Sequence, residues 1–132
     1  MEHKHWHEPA SLAVVVERAQ MFMAACPHKM NFFHCPVPKS AEANIDAYLA
    51  PLKDLIPLFE RDGTEVYLGL VHEHHPELTR KYVQAASKVL PSFGVAAECG
   101  GGRMKWDAFE DMLKISKDVS EPVHAEKGGW KL

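Results

Sequence analysis

The sequence predicts an α/β fold of about three parallel strands with flanking helices. Three observations carry this reading. Short apolar runs begin near residues 30, 65 and 94, a period of about 30 residues that suits a βαβ repeat with right-handed crossovers. The stretches between them carry apolar residues at helical spacing. The chain has 132 residues, about half of the ~250 that a closed eight-stranded barrel of this repeat needs. It is therefore a small open α/β domain or part of a barrel. A barrel part would expose sheet edges and interior apolar residues, which favours self-association.

Each element follows from local pattern. Residues 11–26 read as a helix, with Leu12, Val15, Val16, Ala19, Phe22 and Met23 in one stripe, Ser11 as N-cap and Pro27 as the stop. Met30-Asn31-Phe32-Phe33-His34 reads as a buried strand that runs into the stiff loop Cys35-Pro36-Val37-Pro38. Residues 41–61 are helical, but Pro51 and Pro57 cannot share one straight helix, so two pieces or a kink are expected. Asp62-Gly63 makes a turn. Residues 65–71 are nearly continuously apolar, as a strand covered on both faces should be. Pro76 suits the first turn of the next helix, whose stripe runs from Leu78 to Leu90. Residues 93–98 form the third strand, and Trp106, Phe109, Met112, Leu113 and Val119 mark a last helix. Tyr48, Trp106 and the methionines are expected in the core. The organisation is a histidine-rich segment at 1–10, one α/β domain at 11–119 and a mobile tail at 120–132.

Composition narrows the function. Hydrophobic residues are 46% and charged residues 25%, ordinary for a globular protein. The net charge is -3 and no basic block stands out, which argues against a nucleic-acid binder. No apolar run approaches the ~20 residues of a membrane span. The N-terminus lacks the apolar centre of a signal peptide. Three cysteines, Cys26, Cys35 and Cys99, do not read as a disulfide framework. A cytoplasmic, reducing setting is the simplest expectation.

In parallel α/β folds, function gathers beyond the C-terminal ends of the strands. Here those ends carry His34 and Cys35; His72, Glu73, His74 and His75; and Glu98, Cys99 and the loop Gly100-Gly101-Gly102-Arg103. Cys99, His34, Cys35 and His72 are residue types that zinc accepts, although no CxxC pair or HExxH helix is present. Buried cysteines are also common as simple core residues. His72 and Glu98 are the catalytic candidates, His72 because imidazole titrates near neutral pH. His74 and His75 are expected to face water. The loop of Gly100, Gly101, Gly102 and Arg103 could hold a phosphate or carboxylate, or be a plain strand-to-helix turn.

The segments His3-Lys4-His5-Trp6-His7-Glu8-Pro9, Phe33-His34-Cys35-Pro36-Val37-Pro38, Tyr67-Leu68-Gly69-Leu70-Val71-His72 and Gly94-Val95-Ala96-Ala97-Glu98-Cys99-Gly100 resemble the C-terminal part of barrels in the superfamily of cobalamin-independent methionine synthase and uroporphyrinogen decarboxylase. The closest resemblance is to its uncharacterised microbial and fungal members. It implies a partial (β/α)8 TIM-barrel-like piece. The stretch at Glu98-Cys99-Gly100 looks like the strand end that carries a zinc-ligand cysteine in methionine synthase. The resemblance thus implies zinc at Cys99 and methyl or alkyl transfer to a thiol, with Arg103 holding an acidic substrate. The His-x-Cys pair and the glutamate that complete that zinc site have no match here. The arginine- and aspartate-bearing strands of the decarboxylase are also absent from this sequence. The alternatives are a catalytically silent barrel piece, acting as a homo-oligomer or beside a partner half, and a small binder of a phosphate or carboxylate ligand.

Overall fold

The computed structural model describes residues 8–98 and 100–120. Five helices and three strands alternate: α1 (Ala13–Ala25), β1 (Phe32–Pro36), α2 (Ile45–Leu49), α3 (Ile56–Asp62), β2 (Glu65–Val71), α4 (Pro76–Ser87), β3 (Gly94–Ala97) and α5 (Trp106–Val119). The sheet is wholly parallel, in the order β1-β2-β3. The predicted mixed α/β class and strand number are present; the first strand starts two residues later than its sequence pattern implied. A barrel is not formed by the described residues. The N-terminal segment 1–7 and the tail 121–132 lie outside them.

The prolines act as expected. Residues 39–62 break into alternating 3-10 and α segments, with Pro51 and Pro57 in the first turns of successive pieces, where a missing N–H costs no helical bond. Pro76 opens α4 in the same way. The Ser11 hydroxyl does not cap α1 across a full turn; it accepts a bond only from the Ala13 N–H, at 3.3 Å.

The two faces of the sheet differ. Cys35, Val66, Leu68 and Leu70 enter the main core with Leu49, Leu52, Tyr82 and Ala86. On the alternate positions, Phe32 is 65% exposed, Tyr67 is 36% exposed, and His34 and Glu65 are also exposed. A second, smaller core lies at the C-terminal end of β2, where Val71 meets Met112 and Ile115 of α5. The register slips between Gly69 and Val71. Leu70 still points into the main core and Val71 into the smaller one, so both faces are covered at this end and Gly69, Leu70 and Val71 are all buried.

Three expectations about the core are corrected. Trp106 is 71% exposed, Met21 is 57% exposed and Phe22 is 56% exposed. α1 is apolar nearly all round, so its sequence marks no single buried side; Val16, Ala19 and Met23 take the core face. Trp106 stands in the first turn of α5, ahead of the residues that reach the smaller core.

Gly94 is required by close approach. A Cβ there would lie 2.5 Å from the Tyr67 ring, so the ring covers bare backbone at the sheet edge.

Candidate functional site

Each strand end delivers its candidates differently. At β1, neighbouring side chains point to opposite faces: His34 is exposed and Cys35 is buried in the main core. Burial pushes the Cys35 thiol up to about 12, so on its own at neutral pH it is a protonated core thiol and not a nucleophilic thiolate.

At β2, His72 is 1% exposed. Its backbone N–H donates to Thr79 Oγ1 at 3.2 Å. Its ring meets the edge of Tyr82, with centroids 5.7 Å apart at 84°. Burial is the main cause that lowers the ring to about 4, the nearby Lys39 charge adds to it, and a hydrogen bond to the Val37 backbone opposes it. Nε2 is buried and has no hydrogen-bond partner. His72 is thus a neutral imidazole at neutral pH, with an idle nitrogen. Its lowered basicity suits it poorly to proton abstraction near pH 7.

The loop after β1 closes over this ring. The Tyr82 hydroxyl lies 3.0 Å from the Pro38 carbonyl and 3.1 Å from that of Lys39, and so ties α4 to the loop. Lys39 Nζ lies 3.6 Å from Glu73 Oε1 at the rim. His74 and His75 are exposed, as expected. His74 has a left-handed backbone, with φ 63, and its N–H donates to Asp111 Oδ2 at 2.6 Å. The entry to α4 is thereby fastened to α5.

At β3, Glu98 is half-buried. Its charge helps raise both Tyr48 and Tyr82, after the larger effect of burial; Tyr82 reaches about 12. The sequence had marked both tyrosines only as apolar stripe positions. The signal that could have found them is the tyrosine hydroxyl itself, which needs a polar partner when buried. Cys99 lies outside the described residues. Gly100 has φ 139, a conformation open to glycine and rarely to other residues. Gly101–Arg103 form a single 3-10 turn, with Arg103 N–H bonded to the Gly100 carbonyl at 2.8 Å.

Zinc was expected at Cys99, His34, Cys35 and His72. Among the described residues, no three histidine, cysteine or acidic side chains form a metal-binding group. His34 and Cys35 are held on opposite faces, so these two side chains do not meet at one ion, and Cys99 lies outside the described residues.

No family model, curated protein or solved structure matches the chain.

Proposed function

We propose that the chain works by association, as an open parallel α/β segment that completes its sheet with another copy of itself. The observation that carries this is the uneven sheet. One face is packed under helices, while the other is covered by α5 only at its C-terminal end and presents Phe32, His34 and Tyr67 to solvent. Among the described residues, β1 and β3 each pair with β2 alone, which leaves an outer edge on each there. Unpaired edges beside exposed aromatic residues are what self-association consumes. The barrel-segment reading agrees with this, since strands in sequential order form an arc of such a barrel. Sedimentation velocity over a range of concentrations tests the proposal: a dimer or larger species is expected, and a monomer at every concentration would end it.

A second reading rests on a different observation, the idle Nε2 of buried His72 at a strand end. It keeps thiol methyl or alkyl transfer open through Cys99, with Glu98 beside it in sequence and Arg103 at the loop. Elemental analysis of wild type and Cys99→Ala tests it. About one zinc per chain, lost in the variant, supports the reading, and metal-free protein in both removes it.

A further inference from the structure

We infer that two copies of the chain join through β1, which pairs antiparallel with its own image across a two-fold axis at Phe33. Phe32 then stands opposite His34 of the partner subunit. The inference deepens the association reading above and rests on it. The backbone bonds define the free edge. The Asn31 carbonyl accepts from the Glu65 N–H at 2.9 Å, and the Val37 N–H donates to the Gly69 carbonyl at 3.2 Å. Backbone groups of successive strand residues turn to opposite sides, so Phe32 and His34 direct theirs away from β2. The free stretch is closed at both ends. At Met30 the carbonyl accepts from the Thr64 hydroxyl at 2.7 Å, and the backbone also hydrogen-bonds to Asp62. At Pro36 there is no N–H, as suits an edge strand.

Side chains favour this edge over that of β3. β1 keeps uncovered aromatic surface on both faces: Phe32 is 65% exposed, and half-buried Phe33 meets the Phe59 ring on the helix side at 5.5 Å. β3 carries only Gly94, Val95, Ala96 and Ala97, and Val95 and Ala97 pack towards the smaller core with α5. A strand laid along β1 covers both of its faces at once. The two-fold selects a second copy and one register. Centred on Phe33, Phe32 and His34 exchange both of their N–H and C=O groups with the partner, and none of the four groups is left over. Centred on His34, Phe32 would face a proline that cannot donate. Centred on Phe32, His34 would face Met30, whose backbone is already engaged.

Cysteine pairing tests the register. Facing residues in such a pair have Cα atoms about 5.5 Å apart, within disulfide reach, whereas diagonal ones lie about 7–8 Å apart. Full-length Phe32→Cys and His34→Cys proteins are oxidised mildly, singly and mixed, and inter-chain disulfides are mapped by mass spectrometry. The mixture is expected to give the 32–34 bond at least tenfold above any 32–32 or 34–34 bond. His34→Pro removes an outward N–H and no bond to β2, so the folded variant should sediment as monomer. Predominance of the 32–32 or 34–34 bond overturns the inference, as does folded His34→Pro that associates like wild type. A wild-type oligomer with none of these bonds removes the β1 interface and leaves association standing. A wild-type monomer at every concentration removes both.

Discussion

His34 and Cys35 are neighbours on one strand and share almost nothing else. One stands on the open face of the sheet with Phe32 and Tyr67; the other is sealed under the helices with Leu68. The difference teaches that a strand end rich in metal-capable residues is not yet a site. A strand alternates its side chains, so adjacent candidates are separated by the thickness of the sheet. Convergence has to come from different elements on one side of the sheet. His72 at the β2 end and Tyr82 of α4 achieve it, with ring centroids 5.7 Å apart; the pair His34 and Cys35 does not.

The largest expected effect contrasts the two faces directly. Leu68→Ala removes a fully buried side chain from the central strand and should cost about 2–5 kcal/mol in urea unfolding. An equally mild effect of Leu68→Ala and Phe32→Ala would abolish the distinction between the faces.

Next is the pH dependence set by His72. The unfolded chain takes up this proton near pH 6.5, while the folded chain refuses it until about pH 4. Stability contributed by the neutral ring is therefore complete above about pH 6.5. It declines by about 3 kcal/mol as pH falls to about 4, and then levels. His72→Leu should flatten that part of the profile; a wild-type slope in the variant would assign it to other groups.

Gly94→Ala forces a methyl group against the Tyr67 ring and should destabilise by about 1–3 kcal/mol. A double-mutant cycle with Tyr67→Ala should recover most of that loss. Additive effects would show that the ring does not set the requirement for glycine.

The smallest folding effect belongs to the open face. Phe32→Ala should change the stability of the isolated chain by about 0.5 kcal/mol or less. Its effect should fall instead on the sedimentation profile, shifting any oligomer towards monomer. A chemical contrast sharpens the same point: mass-spectrometric mapping after alkylation of native protein at pH 8 should label half-buried Cys26 well before Cys35.

The site was less legible than the fold. His72 was found as the residue directly after an apolar strand, and its burial follows from that position. Its idle Nε2 could not be foreseen, because it depends on Tyr82, Val37 and Lys39 arriving from other elements. Tyr82 appeared only as one more apolar residue in a helical stripe. The exposure of Trp106 was missed because helical spacing indicates which residues share a side, not whether that side meets a neighbour.

The sequence by itself determined the order of elements, the breaks at Pro51, Pro57 and Pro76, and the parallel α/β class. Those features rest on local sterics and short-range periodicity, which act through residues a few positions apart. Only the tertiary structure decided which sheet face is covered, that Cys35 is a core thiol, and that Trp106 stands exposed. Burial and protonation depend on groups far apart in the chain, and their desolvation is set by the packed whole rather than by any segment.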